Sequence, residues 1–226
     1  MENLPPDLRV PPSDLGRALT ALVSPENLFR VLEILLAGLL LTRLRWWRES
    51  GFNEPPRWRN SHLLWVPLLV GALPLFGGVS IPGPAFFASV LLAAFLAAFA
   101  DEALYRGVMW RALVPTGLVR AVLLTALLSG ALHFAGLVVL SRPWPEAFLL
   151  ATLTTCGGFT YAALRWRTAS IWPVILLHFA SAFVSSVSTP GAVPYLVPLL
   201  FFAGTLGLVV YGLFLIRNPR VRADGG

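Results

Sequence analysis

Seven apolar runs of close to membrane-spanning length, almost free of charge, constrain this chain more than any other feature. A spanning helix needs about 20 mostly apolar residues, and the runs extend roughly from Leu28 to Leu44, His62 to Phe76, Ala85 to Leu113, Leu118 to Leu140, Ala147 to Leu164, Ala169 to Val187 and Tyr195 to Ile216. With 57% hydrophobic and 12% charged residues and a mean hydropathy of +0.74, the composition describes a polytopic membrane protein rather than a soluble domain. The expected fold class is all-α, a polytopic transmembrane helical bundle of about seven helices. The third run is too long for a perpendicular span, since about 29 residues at about 1.5 Å each exceed a hydrocarbon core of about 30 Å; it tilts or continues along the interface. Proline-rich stretches around Pro55, Pro82 to Pro84, Pro143 to Pro145 and Pro190 to Pro194 mark connections. No solenoid repeat or separable soluble domain is visible. The expected organisation is an N-terminal extracytoplasmic or interfacial segment (1–27), a transmembrane helical domain (28–216) and a short cytoplasmic tail (217–226).

Charge gives the orientation. All 17 basic residues are arginine, and alternating the spans puts Arg43, Arg45, Arg48, Arg57, Arg59, Arg111, Arg120, Arg165, Arg167, Arg217, Arg220 and Arg222 on one side. Arg9, Arg17, Arg30 and Arg142 fall near the other, so the positive-inside tendency makes the rich side cytoplasmic, with the N-terminus outside and the C-terminus inside. Arginines dispersed between apolar runs read as topology and exclude a nucleic-acid surface. Trp46, Trp47, Trp58, Trp65, Trp144 and Trp172 lie near span ends, where amphipathic rings anchor at headgroup level. The Arg-Trp stretch from Arg43 to Arg59 reads as an interfacial loop against anionic lipid. The first residues lack the basic start and short apolar core of a cleavable signal. Cys156, the only cysteine, excludes an intrachain disulfide and a cysteine zinc cage.

Charge inside the apolar runs points to a site. Asp101-Glu102-Ala-Leu-Tyr-Arg106 sets two carboxylates and an arginine where each ionised side chain costs about 2.5 to 3.5 kcal/mol to insert. His133 and His178 lie deep in two other runs, while His62 sits at a span edge. Measured from the predicted cytoplasmic ends, Glu102, His133 and His178 lie roughly 14 to 23 Å deep at helical rise and can share one layer. Two imidazoles facing a carboxylate can hold, orient and deprotonate a water. Glu102, His133 and His178 can equally ligate a metal, since imidazole plus carboxylate suits zinc; spacing alone does not choose.

These residues resemble the CPBP intramembrane proteases, which include the CAAX endopeptidases. Asp101-Glu102-Ala-Leu-Tyr-Arg106-Gly107 resembles the family's Glu-Glu-x-x-x-Arg motif, and Leu128-Ser129-Gly130-Ala131-Leu132-His133 its Phe-x-x-x-His motif. The run Ser170 to His178 resembles the approach to its later His-x-x-x-Asn/Asp motif, and Gly157-Gly158-Phe159-Thr160-Tyr161 the glycine-rich helix before it. The likeness covers roughly Ala85 to Val187. Three positions depart from the pattern: Asp101 stands where the family has glutamate, Ser129 where it has phenylalanine, and Ala182 where it has Asn or Asp, with Ser181 the nearest polar side chain.

The resemblance implies a peptide-bond hydrolase acting on a membrane-tethered protein or hydrophobic peptide, with water activated inside the membrane and no cofactor required. It implies Asp101 as general base, Glu102 as supporting carboxylate with the roles exchangeable, Arg106 as the partner of Glu102, and His133 and His178 as holders of water and of the tetrahedral oxyanion. Gly107 would admit a close helix approach and Tyr105 would wall the cavity. It also implies a bacterial inner (cytoplasmic) membrane protein, with the myxosortases as a related subclass. Two other classes stay open: a non-catalytic member that binds a membrane peptide in immunity or assembly, and a proton-coupled transporter using the same buried groups.

Overall fold

A computed structural model describes residue 16 and residues 23–81, 83–189 and 195–217, with Trp58 and Val197 described by backbone only. Most of the expected N-terminal segment, the Pro190 to Pro194 connection and the tail beyond Arg217 lie outside the described residues. Within them the chain forms seven helical segments matching the seven apolar runs. They are α1 (Pro25–Leu44), α2 (Arg59–Gly77), α3 (Pro84–Thr116), α4 (Leu118–Val139), α5 (Trp144–Thr168), α6 (Trp172–Val187) and α7 (Leu196–Arg217). The all-α bundle is therefore the observed architecture, and this is an integral membrane protein.

Five of the seven segments, α2 to α5 and α7, are long and apolar enough to cross a membrane by themselves. The other two differ for separate reasons. Helix α6 has 16 residues, and α1 carries Glu26, Arg30, Glu33 and Arg43 within its 20 residues. Local chemistry sets the ends. Ser24 caps α1 by accepting from the Asn27 N–H, and Pro25 occupies the first turn, where its missing N–H costs nothing. Arg45 (φ 57°) ends α1, Ala169 (φ 60°) ends α5, and Gly117 (φ 114°) separates α3 from α4.

The bundle turns its leucines and phenylalanines outward, as lipid demands: Leu32, Phe148 and Val210 are more than 60% exposed. Small residues face inward and let helices approach. At Gly130 a side chain would collide with Thr155 and the Ala151 carbonyl of α5, and at Gly71 with Ser181 of α6. Three apolar clusters surround the middle of the bundle, built on Leu164 and Val174, on Trp110 and Val122, and on Leu41 and Val108. An isolated bridge between Val79 and Ser188 ties the α2–α3 connection to the end of α6.

Helix α3 continues without a break through 33 residues, but its middle is not α-helical. Glu102–Met109 wind as a π-helix, and every residue from Glu102 to Val108 is buried. Such wide turns are rare and concentrate at functional sites. The segment carrying the charged motif is thus the least regular and most enclosed part of the long helix.

Candidate active site

Asp101 ends the α-helical part of α3 and Glu102 opens its π-helical part. Glu102 is fully enclosed. Its Oε1 lies 2.8 Å from His178 Nδ1, and its Oε2 lies 3.3 Å from Arg106 Nε, one helical turn on. The second contact is an ion pair by distance but lacks hydrogen-bond alignment. Arg106 itself is 1% exposed. Gly158 of α5 makes room for it, since a Cβ there would stand 2.6 Å from the Arg106 guanidinium.

Asp101 faces differently. Its Oδ1 accepts from the Arg30 guanidinium of α1 at 2.6 Å, and Arg30 also holds Glu33 at 2.8 Å. Its Oδ2 lies 4.0 Å from His178 Nε2, beyond hydrogen-bond reach. His178 therefore stands between the two adjacent carboxylates, one on each side of its ring. With Glu102 accepting from Nδ1–H, the lone pair of the neutral ring sits on Nε2 and faces Asp101.

Asp101, Arg106, His133 and His178 line one cavity of about 210 Å³, and Glu102 lies behind His178 rather than on its wall. That volume holds several waters. His133, half-buried on α4, faces the same space without a hydrogen bond to the carboxylates among the described residues. Ser129 and Ala182 also line it, so with Asp101 all three departures from the family pattern open onto the cavity, and Ser181 and Ser185 supply hydroxyls beside Ala182. Tyr161 forms part of the wall, its ring 5.5 Å from that of His178.

Some expectations need correction. Tyr105 is buried outside the cavity lining, and Tyr161 takes that place. Gly107 is not at a tight approach, because a Cβ there would make ordinary contacts of 3.5 and 3.6 Å with Phe52 and Ile171. Of the glycine pair, Gly158 is sterically required and Gly157 has open space before it. Arg30 does not end at the arginine-poor surface as a topological charge; it is folded inward onto Asp101. Two charges three residues apart inside an apolar run, Arg30 and Glu33, were the signal available for it. His62 is exposed, with Nδ1 against the Arg59 carbonyl, away from the site.

A metal fits poorly. Glu102 and His178 are in direct hydrogen-bond contact, and Arg106 and Arg30 each sit against one of the two carboxylates. Among the described residues no three His, Cys, Asp or Glu side chains are grouped to hold an ion.

Residues 83–184 match the family model of the type II CAAX prenyl endopeptidase Rce1-like proteins. No curated protein and no solved structure matches the chain.

Proposed function

We propose, from the match of residues 83–184 to the family model of Rce1-like type II CAAX prenyl endopeptidases, that this chain is an intramembrane endopeptidase that activates water with Asp101. The observation that carries the reading is the shared cavity: an acidic side chain from α3 and imidazoles from α4 and α6 face one void inside an apolar bundle. Water in the void attacks the carbonyl carbon of the scissile bond, and its proton passes to the Asp101 carboxylate. The ionised Glu102 fixes the ring of His178, whose Nε2 accepts a hydrogen bond from the same water and orients it. His133 and the Arg106 guanidinium supply charge or donors toward the tetrahedral oxyanion. Asp101 then returns its proton to the leaving amine. The step needs no metal, and metal independence is part of the proposal.

The substrate class is a membrane-tethered protein or hydrophobic peptide segment. A second reading, a member that binds such a segment without cutting it, is favoured by the Arg30–Asp101 contact at 2.6 Å, which occupies one oxygen of the base.

The test is cleavage of a fluorogenic hydrophobic tail peptide by purified protein in nanodiscs. Asp101→Asn is expected to lower the rate by about 10²- to 10⁴-fold, the span typical of a lost general base, with thermal unfolding unchanged, and a chelator is expected to have no effect. Equal cleavage by the parent, Asp101→Asn and His133→Ala would refute the peptidase assignment. Binding without cleavage by the parent would select the second reading.

A further inference from the structure

A second cavity, of about 640 Å³, lies at the opposite, arginine-rich end of the bundle and plays no part in the chemistry above. Its volume is in the range of ligand pockets. Four arginines line it, Arg48, Arg57, Arg165 and Arg167, against two glutamates, Glu49 and Glu54. Arg48 takes up Glu54 in an exposed ion pair of 2.9 Å. Arg57 and Arg165 then share the cavity with one carboxylate, Glu49.

The cavity is built rather than incidental. The loop after α1 is pinned over the ends of α5 and α6 by backbone hydrogen bonds, from Arg57 N–H to the Thr168 carbonyl at 3.0 Å and from Ile171 N–H to the Gly51 carbonyl at 3.2 Å. Gly51 (φ 90°) has no room for a side chain because the Arg165 guanidinium lies against it. Arg165, 5% exposed, donates to the Ser50 and Glu49 carbonyls at 3.2 and 3.4 Å and forms no ion pair among the described residues. Its hydrogen bonds are thus made to neutral groups, and its charge remains available to the cavity. Trp110, Trp166 and Val114 give the wall apolar surface beside the charges.

We propose that this cavity binds a phosphate-bearing anion, its charge met by Arg57 and Arg165 and its approach by Arg48. The same chemistry is offered by an anionic lipid headgroup and by free phosphate. Basic pockets between helices at the cytoplasmic level are suited to the first, and the tryptophan and valine surface favours a ligand with an apolar continuation. The proposal does not depend on the peptidase reading.

Native mass spectrometry of the full chain in detergent tests it, with phosphatidylglycerol, phosphatidylcholine and inorganic phosphate as probes in separate arms. Phosphatidylglycerol is expected to be retained in preference to phosphatidylcholine, and Arg57→Gln, at an exposed position, to weaken retention about fivefold, the effect of one arginine near a membrane anion. Arg48→Gln with Arg57→Gln is expected to weaken it further, and Arg120→Gln, exposed and outside the cavity, to leave it unchanged. Retention of inorganic phosphate with the same variant sensitivity would identify a free anion as a ligand; lipid retention alone would identify the headgroup. Equal retention of both lipids with no phosphate bound, or equal effects of Arg57→Gln and Arg120→Gln, would overturn the proposal.

Discussion

The two cavities bury arginine in opposite ways. In the middle of the bundle each cation faces a carboxylate, Arg106 against Glu102 and Arg30 against Asp101 and Glu33, so the charged layer is neutralised pair by pair. At the arginine-rich end Arg165 and Arg167 donate to backbone carbonyls, of Glu49 and Ser50 and of Leu215. In the first place close carboxylates cancel the charge; in the second Arg165 makes its hydrogen bonds to neutral carbonyls. Far from water an unmatched charge costs several kcal/mol; near the headgroups it is tolerated and can recruit an anion. Depth therefore decides whether a guanidinium needs an acid or only an acceptor.

Four substitutions break or sharpen this contrast. Arg106→Leu is expected to have the largest effect on folding, about 3 to 5 kcal/mol, because it strands an enclosed carboxylate; reversible unfolding in detergent measures it, and adding Glu102→Leu should recover much of the loss. Arg30→Gln is expected to lower the cleavage rate about 100-fold by releasing Asp101 from its fixed orientation. A rise in rate would instead mean that Arg30 restrains the base, in line with the binding-only reading. Arg165→Met orphans only neutral carbonyls and is expected to cost about 1 to 3 kcal/mol, less than Arg106→Leu by the same unfolding assay. Arg48→Gln removes an exposed, solvent-screened pair and should leave the unfolding midpoint where it is.

The helices were legible because lipid makes apolar length the dominant variable: Leu118 to Leu140 was expected for a helix observed at Leu118–Val139. The meeting of Asp101, His133 and His178 was legible in part, since comparable depth in three runs predicts a common layer. Depth says nothing about rotation around a helix. Tyr105 and Tyr161 are both near the motifs, but only Tyr161 is turned to the void. Arg30 reads as a flank because its partner is 71 residues away and no periodicity connects them. The π-helix after Asp101 was invisible, because a change from four- to five-residue hydrogen bonding leaves no mark in an apolar pattern.

That wide turn makes α3 two helices joined out of phase. The residues before it are indexed against α1 and α6, and those after it against α4. An ordinary helix over Glu102 to Met109 would turn about 100° per residue, so the wider winding sets where Trp110 and Arg111 point. Length at this point is as much a part of the acid pair's environment as any side chain around it.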